Sequence, residues 1–510
     1  MIEAKEKIKK LFSYRTISIL VCLMLLLSLL PLLYCSFFDY ATGDDLWEGA
    51  VAYQIIKKGG SVGELFREVF SWIKTEYYGW EGNWSSIFLW CFSPNVFGEK
   101  VYSITPWIGI LSICIGNWYC FRHFNRKYFG LNREFFLIVY GLATLFAIQY
   151  MPYIRGGIFW YSAMINYTFP YGLTMAIFVW IDKYLETGKR RYFIFLILAL
   201  SFLGGSGYLA IVLNFEAFIL VIGYHLFIHD KTKKKRGLLL SVPAILLLIG
   251  FVISALSPGN AIRGGESYGF SISNILYTLK ECIVQGIAGI PTALWSAKLM
   301  IVVFPFLVIG TWQNLDLKKT RLKFCYPLSM TIFLFLISCS VYAPGIYAND
   351  ELSGGVYDTI FFVFVLFYFC IVIYLTGCLK VASQNWKLGE KIFGENSKII
   401  VIVVTALICI GGFRWLINHS AAKVCMDFII SGQLEDFEAQ MQERLEILND
   451  PLIEEAVVPE MNNEQGPFMH MPLTNDPDHY TNMATARFYG KKSVVAVPRE
   501  EYYESLGEKR

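Results

Sequence analysis

Charge is scarce in this chain, and histidine scarcer still. Only 17% of the 510 residues are Asp, Glu, Lys or Arg, and six are His. The formal net charge of +3 is too small an excess to grip a polyanion, so no nucleic-acid partner is expected. The twelve cysteines form no Cys-x-x-Cys pair, and most fall inside apolar runs, as Cys22, Cys114, Cys339 and Cys409 do. That pattern argues against a disulfide framework or a zinc site. Cys91, Cys282 and Cys425 lie outside those runs and read as small apolar residues. No internal repeat is evident, so the inverted-repeat signature of many transporters is missing.

What fills the chain is apolar. Hydrophobic residues make up 55% and aromatic residues 17%, and the mean hydropathy is +0.47. A soluble core cannot hide that much apolar surface, whereas a bilayer accepts it. The expected fold is an all-α integral membrane protein, a polytopic bundle of about eleven transmembrane helices. The first run, roughly Ile17 to Phe38, follows a basic amino end (Lys5, Lys7, Lys9, Lys10, Arg15) and reads as an uncleaved signal anchor. Further spans are expected at about 101–120, 135–151, 168–182, 192–206, 208–228, 237–255, 296–314, 324–342, 358–376 and 399–416. The glycine cluster Gly204, Gly205, Ser206, Gly207 divides one apolar stretch into two short helices.

The distribution of positive charge orients this threading. More than half of the 44 Lys and Arg residues fall in the amino end, Arg122 to Arg133, Lys183 to Arg191, Lys231 to Arg236, Lys318 to Lys323 and Lys380 to Lys398. The loop 343–357 has none. The amino terminus is therefore expected in the cytoplasm and the carboxyl terminus outside. Three outer segments are long: a first loop at about 39–100, a segment at 256–295 whose 271–294 part reads as an interfacial helix, and a tail. The division is thus a transmembrane bundle over 1–416 and an extracytoplasmic segment over 417–510, helical in periodicity near 423–449.

The sharpest local feature follows the first span: Asp39-Tyr-Ala-Thr-Gly-Asp44-Asp45-Leu-Trp47-Glu48. Adjacent carboxylates at the mouth of a membrane helix can act as a general base or hold a divalent cation such as Mg or Mn. The plainer alternative is that Thr42 or Asp44 caps a helix running to about Ile56. Along the same loop stands Tyr77-Tyr78-Gly79-Trp80-Glu81-Gly82-Asn83-Trp84. It reads either as an interface belt or as a sugar-stacking wall that includes Trp80, Glu81 and Asn83. The same choice applies to Phe159-Trp160-Tyr161 and its neighbour Asn166, whose amide could bind a ligand hydroxyl. Arg155 and Arg263 stand in outer loops otherwise almost devoid of positive charge. Arg263 ends the turn Ser257-Pro258-Gly259-Asn260-Ala261-Ile262-Arg263. A guanidinium there can grip a phosphate at headgroup level or form a structural ion pair with an outer-loop carboxylate. Glu216, inside an expected span, reads as a relay group or as a packing residue kept protonated.

These motifs together resemble the GT-C class of lipid-linked-sugar glycosyltransferases, most of all its largely uncharacterised bacterial members. The resemblance rests on Asp44-Asp45 after the first helix, on Tyr77 to Gly82, and on Pro258 to Arg263. It extends to the tail residues Asp476-Pro-Asp-His-Tyr480-Thr-Asn482, Ala486-Arg487-Phe-Tyr-Gly490 and Ser493-Val494. Relatives often carry Arg where this chain has Asn83, which removes one expected phosphate contact. The resemblance implies inverting transfer of a sugar from a polyprenyl-phosphate donor to a surface glycan, lipid or protein acceptor. It places the protein in the bacterial cytoplasmic membrane, with membrane lipid around it. Asp44 and Asp45 would supply the base, and Arg155, Arg263 and Asn260 would lie on the substrate side. The rivals are a transporter or flippase of a lipid-linked glycan, and a glycan polymerase or ligase.

Overall fold

In the computed structural model the described residues are 13–264, 271–348, 352, 354–383, 393, 418, 420–462 and 464–507. Helix α1 (Tyr14–Cys35) starts where the Ser13 hydroxyl accepts from the Thr16 amide at 3.2 Å. One stripe of α1, Ile17, Val21, Leu25, Leu29 and Leu32, is buried against the bundle. The other faces, with Leu20, Leu23, Leu26, Leu27 and Leu30, are just as apolar and stay exposed. A helix apolar all round with only one side covered is one that meets lipid.

Three helices build the first long loop, α2 (Asp44–Lys57), α3 (Val62–Gly79) and α4 (Trp84–Trp90), and α5 (Thr105–Phe124) then begins the return through the bundle. Then come α6 (Arg133–Gln149), α7 (Tyr161–Asn166), α8 (Thr168–Thr187), α9 (Arg190–Leu203), α10 (Tyr208–Leu226), α11 (Lys231–Leu239) and α12 (Ser241–Ala255). Glycines let backbones approach closely. A Cβ on Gly116 of α5 would meet Gly172 of α8 at 2.9 Å, and one on Gly204 would meet Gly250 of α12 at 2.9 Å. The break at Gly204–Gly207 falls where the sequence places it. It also admits the first loop, because the Ser85 amide donates to the Gly205 carbonyl at 3.0 Å.

Helices α13 (Pro258–Gly264), α14 (Ile272–Ser296), α15 (Leu299–Asn314), α16 (Pro327–Ser340), α17 (Ala343–Ala348) and α18 (Gly354–Ala382) complete the described part of the bundle. Helix α14, which covers the stretch expected as an interfacial helix, meets α15 at 94°. Among the described residues, six helical stretches are long and apolar enough to cross a membrane, or seven if that bent pair is one span. Helices also occupy the expected positions near 135–151, 192–206 and 324–342, with 17, 14 and 14 residues. At 1.5 Å per residue these are short of the roughly 30 Å of hydrocarbon. The span expected at 399–416 lies outside the described residues.

The described parts of the segments expected to share the cytoplasmic side lie together at one end of the bundle. Asp182 accepts from Lys127 Nζ at 2.6 Å and from the Tyr128 hydroxyl at 2.5 Å, with the His123 ring at 2.6 Å. Arg236 donates to the Leu185 and Glu186 carbonyls, and Lys380 to those of Trp312 and Leu315. Tyr14 reaches Gln313 at the same end, at 2.8 Å.

The tail lies at the opposite end. Its expected helical run is two helices, α19 (Ala421–Ile430) and α20 (Gln433–Asn449), separated at Gly432, whose φ of +78° ends the first. The all-α expectation needs one amendment. Strand β1 (Glu455–Pro459) pairs in parallel with β2 (Ser493–Val497), and α21 (Tyr480–Tyr489) connects them, followed by α22 (Arg499–Ser505). Val494 and Ala496, with Ala456 and Val458 opposite, bury one face of this two-stranded ribbon, a period-2 pattern too short to stand out in sequence. The tail shares its apolar core with the bundle: Phe468 packs edge-on against Phe159 at 5.5 Å, and against Phe428 and Phe437.

Candidate functional site

The acidic pair opens α2, and the structure gives its two members different surroundings. Gly43 precedes the helix with φ +51° and provides no side-chain cap. Thr42 does not cap it either: its hydroxyl accepts the Met471 amide at 3.0 Å. Asp44 and Asp45 therefore occupy the first turn, where the exposed amides of a helix favour negative charge.

Asp45 is wholly buried. One of its oxygens accepts from the amide (2.9 Å) and the hydroxyl of Ser162, and the other from the Tyr102 hydroxyl. Burial pushes its carboxyl up to about 7, against the pull of those donors. An acceptor molecule has no path to an oxygen so enclosed, so Asp45 ties α2 to α7.

Asp44 is half-buried, and its one described hydrogen-bond donor is Tyr480, whose hydroxyl reaches Oδ1 at 2.6 Å. Burial raises its carboxyl above the ordinary carboxylate range, while Tyr480 and the positive charge of Arg263 hold it down. Asp39 is also buried, and burial pushes its carboxyl well up, with the neighbouring charge of Asp45 adding to it.

The two motifs singled out further along the chain meet beside Asp44. Arg263 pairs with Glu81, and its guanidinium lies 5.7 Å from the centre of the Trp80 ring. Asn260 accepts the Gly82 amide at 3.0 Å and donates to the Ser254 carbonyl at 2.7 Å. Ser254 in turn lies 3.4 Å from the Asn83 amide oxygen. The fit is tight enough that a Cβ on Gly82 would stand 1.9 Å from the Ser254 carbonyl oxygen, and one on Gly259 2.6 Å from the Trp80 amide. Glu81 is buried and pushed up to about 7 by that burial, partly offset by Arg263. Arg263 thus makes the ion pair, but nearly half of its side chain remains exposed. Trp80 is exposed as well.

Other expected site residues lie elsewhere. Asn166 accepts from the Ser86 hydroxyl at 2.8 Å, and its carbonyl packs against Gly207, so it is part of the loop-to-bundle joint. Trp160 is half-buried, its indole nitrogen enclosed without a partner. Arg155 donates to the Gly466 carbonyl at 3.2 Å and anchors the tail rather than an outer carboxylate. Among the described residues, no hydrogen bond or ion pair joins Arg155 to the Asp44 and Arg263 group.

Several residues of this site were not singled out individually by sequence. Glu48 lies one turn after Asp44 on the same face of α2, a spacing visible in the sequence, and accepts from the Trp72 indole at 2.7 Å. Arg487, from α21, sits 3.7 Å from the Trp72 ring centre and 4.7 Å from that of Trp47. Burial lowers its pKa, against the attraction of Glu48 and Glu76. Such stacking is worth about 0.5–2 kcal/mol and holds the tail helix to the loop. Tyr480 packs on Trp47 at 5.7 Å, and Tyr53 stacks on Phe488 at 4.1 Å.

Carboxylates (Asp44, Glu48, Glu76, Glu81), two guanidiniums and a wall of Trp and Tyr therefore converge at the end of the bundle away from the basic clusters. Among the described residues, no group of three or more His, Cys, Asp or Glu side chains is placed to hold a metal ion. No protein-family model matches the chain, and no curated protein matches it either.

Proposed function

We propose that this chain is an inverting, GT-C-like glycosyltransferase that works at the outer face of a bacterial cytoplasmic membrane. In this reading the bundle crosses about eleven times, the basic end faces the cytoplasm, and the Asp44 end faces outward. The observation that carries the proposal is the juxtaposition of a half-buried carboxylate, Asp44, with a partly exposed guanidinium, Arg263, beside aromatic faces. Asp44 takes the proton of the acceptor hydroxyl as that oxygen attacks the anomeric carbon. The bond from that carbon to the lipid phosphate breaks, and its electron pair leaves with the phosphate, which Arg263 grips. A single displacement inverts the anomeric carbon. Trp80, Trp47 and Tyr480 supply faces on which a sugar ring stacks.

The test is reconstitution of the purified protein in lipid vesicles with polyprenyl-phosphate-linked sugars and candidate acceptors, with product read by mass spectrometry. A deletion strain that loses a hexose-sized increment from its surface glycans would name the acceptor class. A second reading, transport of a lipid-linked glycan, is favoured by Glu216, a carboxylate set within the apolar helix Tyr208–Leu226, which is long enough to cross a membrane. The same vesicles separate the two: a transporter moves the lipid-linked sugar across the bilayer and leaves its glycosidic bond intact.

A further inference from the structure

The C-terminal segment reaches Asp44 itself through one hydroxyl, that of Tyr480, while Arg487 of the same helix stacks on Trp72 and Trp47. Tyr480 opens α21, and its start is fixed from two sides. Asn482 accepts the Thr474 amide at 2.9 Å and donates to the Val494 carbonyl at 2.8 Å, while His479 accepts the Thr481 amide at the helix start. Farther along, Gln54 of α2 donates to the Phe488 carbonyl at 2.6 Å, and Tyr489 donates to Glu99 at 2.7 Å. This scaffold holds the Tyr480 hydroxyl on Asp44 Oδ1 across 436 positions of sequence.

We propose that Tyr480 is a positioning residue for Asp44, so that the extracytoplasmic tail completes the site rather than standing apart from it. The hydroxyl donates to one carboxylate oxygen, fixes the plane of the group, and leaves the other oxygen to receive a proton. A donor at that position also favours the ionised form, which a base requires. The charged and titratable groups around Asp44 are Tyr480 on α21, Arg263 on α13, Asp45 and Glu48 on α2, Glu76 on α3, and Glu81 just after it. Tyr480 and Arg263 favour the ionised carboxylate, and the four acids oppose it. The role in catalysis rests on the glycosyl-transfer reading; the control of Asp44's protonation does not.

The experiment compares the full-length protein with Tyr480→Phe, which keeps the ring packed on Trp47 and removes only the hydroxyl. A carbodiimide reacts with protonated carboxyls, so the pH at which Asp44 ceases to be labelled, read by peptide mass spectrometry, reports its titration without any activity. Loss of one hydrogen bond to a charged acceptor should move that midpoint upward by about one pH unit. The midpoint of Glu99, which burial raises, read in the same digests, should stay put, which a general loosening of the fold would not allow. With a lipid-linked sugar donor, the acid limb of kcat should move the same way while KM for donor holds. An unmoved Asp44 midpoint overturns the inference, whatever the activity. A shifted midpoint in a protein that transfers no sugar supports the contact and defeats the transferase reading alone.

Discussion

Asp45→Asn should leave the fold intact and flatten the dependence of its stability on pH. The wild-type carboxyl is enclosed, and burial pushes it from the ordinary 3.8 up to about 7. Between about pH 4 and about pH 7 the unfolded chain has released this proton and the folded chain still holds it. The stability contributed by the group is therefore full below about pH 4 and is lost as pH rises to about 7. Three units of separation correspond to about 4 kcal/mol. Asparagine cannot ionise and avoids that loss. Its carbonyl can still accept from Ser162, and Tyr102 can turn its proton toward the Phe159 carbonyl, 3.3 Å away, and accept from the new amide. Alanine offers no such exchange. It strands the Ser162 amide in a buried site, at a cost of about 1–3 kcal/mol, more if the hydroxyls stay unpaired. Thermal unfolding of the three proteins in lipid nanodiscs, followed across that pH window, reads the difference. Asp45→Asn should gain on the wild type as pH rises, and Asp45→Ala should lie below Asp45→Asn throughout. Parallel curves for wild type and Asp45→Asn would refute the reasoning.

Arg263→Ala should raise the apparent KM for the lipid-linked donor by about 10- to 100-fold, the worth of a hydrogen-bonded charge on a phosphate, with kcat little changed; donor titration in vesicles measures it. Gly82→Ala should lower stability by about 1–3 kcal/mol and separate the Trp80–Asn83 segment from α12, because its Cβ would stand 1.9 Å from a backbone oxygen. Gly79→Ala, with nothing within 4 Å of the added carbon, is the control and should unfold as the wild type does.

The helices were legible because each rests on a local signal. The run from Ile17 to Phe38 is an apolar helical stretch, Tyr14–Phe38, long enough to cross a membrane, and the Gly204–Gly207 cluster ends α9 at Leu203 and releases α10 at Tyr208. The amphipathic stretch 271–294 is α14. The gathering of basic segments at one end followed from charge alone. The site was legible as pieces, not as an assembly. Glu81 and Arg263 were each singled out, but they stand 182 positions apart, and periodicity carries no information about such a pairing. Asp44 and Asp45 looked equivalent as neighbours. A helix turns about 100° per residue, which sends one toward Ser162 and the other toward Tyr480. The sequence offers Arg155 as a phosphate grip or ion-pair partner because its loop is poor in positive charge, and Asn166 as the polar exception among aromatics; in the structure both join segments.

The most direct test of the account is sugar transfer by Asp44→Asn in vesicles holding the lipid-linked donor and acceptor. Asparagine preserves the shape and the Tyr480 contact and removes the base. The account predicts transfer reduced by about 100- to 10,000-fold, with unfolding temperature and membrane abundance unchanged. Transfer at the wild-type rate by Asp44→Asn would contradict it.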